Sequence, residues 1–215
     1  MEIFTLPDLP KWEYSPDGDF KRLHDRVEEA MNKGFPEHLT YHDFAHTLEV
    51  VTVSDMLSTL EEIPEDLKRI VLLAAYGHDT GHIMPGESYD PKGHEYRSAE
   101  MIYGLAGKDF NTYEKDYAAK IIPTTETFVG GKFTDPGDDL LAKILCDADV
   151  DNLGRKDFFD KGDLLRQELG IEDKQKWYNM SKGLMEMHEF YTGSSKSVRD
   201  WQKQKNYDTL VKMIE

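Results

Sequence analysis

The chain has 215 residues, 39% hydrophobic and 32% charged, with a formal charge of −16, the balance of one globular core rather than a disordered chain. Such acidity argues against a nucleic-acid polymer as partner, because its phosphates need Lys or Arg to neutralise them. No apolar run reaches the roughly 18 residues of a membrane span, Met1 to Pro7 lacks a secretion signal, and the lone Cys146 excludes an internal disulfide, so a cytoplasmic protein is expected.

Residues 1–18, rich in Pro, Asp and aromatics, carry no periodicity and read as an N-terminal arm on a helical domain of residues 19–215. From Asp19, the apolar Phe20, Leu23, Val27 and Met31 recur at helical spacing until Gly34 and Pro36 stop them. Thr40-Tyr41-His42-Asp43 has the Thr-x-x-acid form of a helix start, which makes Thr40 the expected cap. That helix continues through Val50, Val51, Val53, Met56, Leu57 and Leu60 to Ile63-Pro64. Opened at Tyr41, it sets His42 and His46 on one face near its N-terminus, where the backbone dipole favours anions.

The next helix opens at Pro64-Glu65-Asp66, runs through the apolar Ile70 to Ala75, and ends in Gly77-His78-Asp79-Thr80-Gly81-His82. A carboxylate desolvated beside imidazoles requires a cation or a tight hydrogen-bond network. Residues 83–93, with their Pro and Gly, read as a polar loop placed to be a rim or lid. His94 to Ala106 reads as a helix with Ala99, Ile102, Tyr103 and Leu105 inward, and another starts at Asn111 or Thr112 and ends near Thr124-Thr125. After a Gly-rich connection to Pro136, helical patterns cover Asp138 to Leu153 and then about 156–170, 173–192 and 195–213. No sustained strand alternation and no internal repeat is present. The expected fold is all-α.

Three separate helices therefore offer nitrogen or carboxylate donors: His46, the pair His78 and Asp79, and one carboxylate of the 147–151 run. Two or three imidazoles with one or two carboxylates suit a divalent ion such as Mn, Fe, Co, Ni or Zn, with Mg as an option for a second ion. Asp147 and Asp149 would point roughly 200° apart on a helix, so only one can face the site. His24, His38 and His188 stand alone and read as ordinary surface or core residues, and Cys146 as a small buried hydrophobe.

The ordered elements Tyr41-His42-x-x-x-His46-Thr47, Gly77-His78-Asp79-x-Gly81-His82, His94-Glu95-x-x-Ser98-Ala99 and Asp147-Ala148-Asp149-x-Asp151-x-Leu153-Gly154 resemble the HD superfamily of metal-dependent phosphohydrolases. The likeness covers about residues 36 to 160 and is similar to small bacterial members; the first two elements also resemble class I cyclic-nucleotide phosphodiesterase domains. The resemblance implies a single-domain helical bundle with the metal site between core helices, and metal ligands at His46, His78, Asp79 and Asp149. It also implies Asp79 as a bridge between two ions, His82 and His94 on the second of them, and His42 as the proton donor to the leaving oxygen. Thr124 or Thr125 would touch a phosphate oxygen or simply cap a helix end.

The substrate so implied is a small phosphomonoester or phosphodiester, nucleotide-like, in a phosphohydrolase or phosphodiesterase reaction. Members with diiron oxygenase or cyclic-dinucleotide chemistry carry two widely spaced later histidines before the final Asp. Here only His82 and His94 fall in that interval, both early. Among Gln167, Gln175, Gln202 and Gln204 none matches the phosphodiesterases' purine-binding glutamine. A diiron oxygenase and a non-catalytic nucleotide sensor are the competing readings. Trp177, Trp201, Met180, Met185 and Met187 suit a homo-oligomer face or core packing equally.

Overall fold

The computed structural model describes residues 12–83, 93–126 and 133–214. Among these residues the fold is all-α, with no strand and no helix long and apolar enough to cross a membrane. The helices are α1 (Gly18–Gly34), α2 (Phe44–Leu60), α3 (Glu65–Gly77), α4 (His94–Ala106), α5 (Thr112–Ile121), α6 (Leu140–Asp149), α7 (Phe158–Glu168), α8 (Lys174–Met187) and α9 (Gly193–Ile214). Short 3-10 turns at Thr80–His82, Ile122–Thr125 and Asp151–Gly154 extend α3, α5 and α6.

The centre is α3, whose residues Ile70 to Gly77 are all buried. Glu65 and Asp66 in its first turn suit the positive end of the dipole, and beyond Ile70 an apolar surface on every side demands neighbours all round. α2, α5 and α6 supply most of them. Leu23, Val27, Val51, Leu73, Ile102, Ile121 and Ile144 join this central core, while Leu153, Phe158, Met185, Phe190 and Leu210 form a second cluster under the C-terminal helices.

α5 starts as the sequence suggests: Asn111 accepts from Glu114 N and the Glu114 carboxylate accepts from Asn111 N, a reciprocal capping box. α2 does not. Its cap is Asp43, whose side chain accepts from His46 N at 2.8 Å, so Tyr41 and His42 precede the helix. Thr40 instead donates its hydroxyl to Leu164 O of α7 at 3.2 Å. Tyr103 also departs from expectation; it is exposed and donates to Asp116. In the arm, Trp12 donates to Asp55 at 2.7 Å and Tyr14 packs on the central core. Residues 84–92, the core of the expected lid loop, and 127–132 of the Gly-rich connection lie outside the described residues.

Two close approaches fix the elements that carry the site. A Cβ on Gly81 would lie 1.9 Å from His94 O and 2.7 Å from Ser98 N, so only glycine lets the 80–82 turn meet the backbone of α4. Gly81 N donates to Ser98 Oγ and Arg97 donates to Gly81 O, locking that contact. A Cβ on Gly154 would likewise lie 2.4 Å from Arg199 Cβ; Arg199 grips buried Asp151 with two hydrogen bonds and holds α9 there.

Candidate metal centre

At the end of α3 the buried helix delivers His78 and Asp79 into the interior, 0% and 4% exposed. His78 Nδ1 lies 2.8 Å from Ala75 O; donating there leaves the Nε2 lone pair free to face the cluster. His46, one turn into α2, brings its Nε2 to 3.6 Å from Asp79 Oδ2 and 3.2 Å from Asp149 Oδ1. His78 Nε2 lies 3.1 Å from Asp79 Oδ2 and 3.5 Å from Asp149 Oδ1. Metal bonds of about 2.0–2.2 Å place neighbouring donors roughly 3.0–3.6 Å apart around one ion. The four donor atoms are therefore spaced as ligands of one cation. His78 Nε2 and Asp79 Oδ2 are buried without a hydrogen-bond partner among the described residues, which native interiors tolerate poorly unless another species binds there.

Asp79 turns its other oxygen to a second group. Oδ1 lies 3.4 Å from His94 Nε2, and the His94 ring stacks on His82 at 3.8 Å between centroids. Asp79, His82 and His94 bring one donor each within 4.8 Å of one another, as do His46, His78 and Asp79. One carboxylate thus serves two triads, one from each oxygen.

The electrostatics point the same way. Burial opposes charge on every group here, yet the neighbouring imidazoles hold Asp79 and Asp149 below the usual carboxylate range. Against the same burial, Asp79 and Asp149 raise His78 well above its ordinary value. The pocket therefore demands positive charge. A divalent ion meets that demand while the imidazoles stay neutral, the form that ligates. Burial pulls His82 down to about 3, so it too is neutral near pH 7.

The structure separates the two carboxylates of α6. Asp149 faces the cluster, whereas Asp147 turns away, accepting from Tyr191 N, Thr192 N and Thr192 Oγ1 at 2.7–2.8 Å. Thr124 and Thr125 donate their hydroxyls to Ile121 O and Ile122 O, the helix-end arrangement. Cys146 is buried and its thiol reaches Thr124 O. Gln167, Gln202 and Gln204 bond residues of their own helices and Gln175 bonds Ile214 O.

His42 stands beside both triads, its ring 5.2 Å from His82 and 5.8 Å from His46 between centroids, and its side chain is a quarter exposed. A residue without any motif signal holds it there. Glu168, at the end of α7, contacts His42 Nδ1 with one oxygen and with the other accepts from Tyr41 N at 2.8 Å and His42 N at 3.1 Å. Burial works against an imidazolium, but the bond to Glu168 and the charge of Asp79 raise His42 above its ordinary value. Burial works against the Glu168 carboxylate too, and His42 with the two amides keeps it below its usual range. Glu95, in the His-Glu-x-x-Ser element, is also buried behind His94, 3.5 Å from His94 Nδ1, and burial pushes its carboxyl up.

No curated protein matches the chain significantly. The family model described as HD domain matches residues 43–151, half of the chain and a span that contains both triads and Asp149. With that match over those donors, the chain belongs to the HD domain family.

Proposed function

We propose that this protein is a metal-dependent phosphohydrolase that cleaves a phosphomonoester or phosphodiester of a small, nucleotide-like molecule. HD domains are generally metal-dependent phosphohydrolases, and the observation that carries the reading is Asp79 shared between two donor triads with a protonatable His42 at their edge. His46, His78, Asp79 and Asp149 would hold one ion, and Asp79, His82 and His94 a second. Bound divalent ions supply an acidified water as nucleophile and neutralise charge on the phosphoryl oxygens.

The remaining work falls to the chain's own side chains. His42, kept protonated by Glu168, donates to the leaving oxygen. Glu168 fixes which ring nitrogen carries that proton outward, because its carboxylate occupies Nδ1. Tyr41 closes the floor, its ring 4.8 Å from His46 and 4.9 Å from His42 between centroids. Its phenol stays protonated, since burial and the nearby carboxylates raise it well above its ordinary value.

The test combines elemental analysis with phosphate release from a nucleotide panel in added Mn, Ni, Co or Mg. Asp79→Asn should lose both metal and turnover, while His42→Asn keeps its metal and loses about 10²–10⁴-fold in rate. Metal retained in Asp79→Asn would overturn the ligand assignment. Bound iron with oxygen consumption and no hydrolysis would favour an oxygenase, and a nucleotide recovered intact from the wild type would favour a sensor.

A further inference from the structure

Far along the chain from the triads, α7, α8 and α9 line a half-open cavity. It measures about 210 Å³ and lies among Phe158, Phe159, Gly162, Trp177, Ser181 and Met213. None of the donors of the metal centre lines it. Its floor is the second hydrophobic cluster, where Phe158 and Leu210 are buried. A dry cavity of about 150 Å³ lined by Leu, Ile and Phe is enough to bind benzene. The larger space here has room for a second ring.

The walls say more than the volume. Trp177, Tyr178, Phe158 and Phe159 supply aromatic surface, which favours stacked and edge-on contact with a planar ring. Trp177 lies so close to Gly162 that a Cβ there would sit 3.6 Å from the indole nitrogen. Trp177 lines the cavity and its indole N–H makes no hydrogen bond to the described residues; the Ser181 hydroxyl, on a lining residue only 7% exposed, makes none to them either. Two idle donors beside the aromatic side chains of a wall that is polar and apolar in about equal parts select an acceptor. The rim carries Lys174 together with Asp160 and Asp163, and Asp163 is already engaged by Arg166 and Gln167, so neither sign of charge is favoured.

We propose that this cavity binds a neutral two-ring heteroaromatic molecule that presents a hydrogen-bond acceptor to Trp177 Nε1. The occupant would lie against α7, the helix whose far end carries Glu168 and holds His42. The site stands independently of the phosphohydrolase reading, since its evidence lies in other residues.

The test uses the full chain and two isosteric probes, indazole, which has a ring-nitrogen acceptor, and indole, which has none. In proton–nitrogen correlation spectra indazole should shift the Trp177 indole signal saturably and leave those of Trp12 and Trp201 in place. By calorimetry indole should bind about 2- to 12-fold more weakly, the range of one neutral hydrogen bond, and Trp177→Phe should weaken indazole by a similar factor. Ser181→Phe, which fills the space, should abolish binding; should it fail to fold, Trp177→Phe alone decides. No saturable shift at Trp177, equal affinity for the two probes, or undiminished indazole binding to Trp177→Phe would each overturn the proposal.

Discussion

Glu168→Gln isolates the role of the His42 imidazolium. In the native protein one Glu168 oxygen meets His42 Nδ1 and the other accepts from two consecutive amides. A charge-assisted hydrogen bond contributes about 1.5–3 kcal/mol, and about 1.4 kcal/mol corresponds to one pKa unit, so the neutral amide should lower the His42 pKa by roughly 1–2 units. A general acid must be protonated to act. The high-pH limb of kcat/KM should therefore move down by that amount, with a rate loss of about 10–100-fold on that limb and a smaller loss where both proteins are protonated. The His42 ring titration, followed by NMR, should shift in parallel, and metal content should stay at the wild-type level because no donor of either triad is changed. A high-pH limb that stays put while the His42 titration moves would refute proton donation from this ring. Loss of metal would show that Glu168 acts through the ligand cluster instead.

Gly81→Ala places a methyl on the α4 backbone, and overpacking of this kind costs about 1–3 kcal/mol; thermal unfolding should register it, and metal titration should show the His82–His94 side weakened more than the His46–His78 side. Asp147→Asn sets an amide donor against Tyr191 N or Thr192 N and should cost about 1–3 kcal/mol with metal retained. Asp149→Asn should lose metal affinity, and the opposite pattern between these two variants would reverse their roles. His188 is 3% exposed, neither ring nitrogen is hydrogen-bonded among the described residues, and burial pulls its pKa to about 3. Unfolded His protonates near 6.5, so between about pH 6.5 and 3 the unfolded state binds more protons and stability falls as pH falls. His188→Phe should remove about 1.4 kcal/mol per pH unit from that slope within the window, measured by urea unfolding at pH 7 and 5; an unchanged slope would refute the buried neutral imidazole.

The helices and the His78-Asp79 pair were legible because their determinants are local, whereas His82 and His94 as donors came from the family resemblance. Ile70 to Ala75 announce a buried helix, Asn111 and Glu114 cap each other within one turn, and His78, Asp79 and His82 sit within five consecutive residues. The helical period allowed only one of Asp147 and Asp149 to face the site and the family resemblance pointed to Asp149; the structure shows what the outward one does: it anchors the Tyr191–Thr192 segment. The start of α2 was misread because two caps compete for it. Asp43 is as good an N-cap as Thr40, and the Tyr41 and His42 amides that a helix from Thr40 would need are taken by a carboxylate more than 120 residues away. The same contact accounts for the missed residue, since Glu168 lies in a charged amphipathic stretch where an acidic side chain ordinarily faces water. Each metal triad takes two donors from the short 78–82 segment at the end of α3 and one from the start of a neighbouring helix, His46 of α2 or His94 of α4. Setting the proton of His42 takes a partner whose position depends on how α7 docks on the 40–49 segment, through contacts such as Thr40 with Leu164 O and Lys161 with Glu49, rather than on any signal beside Glu168 itself. The HD domain match ends at residue 151, so the element that tunes the proposed acid comes from outside it. Two chains with the same triads but different C-terminal helices should therefore share their metal chemistry and differ in the pH at which they turn over.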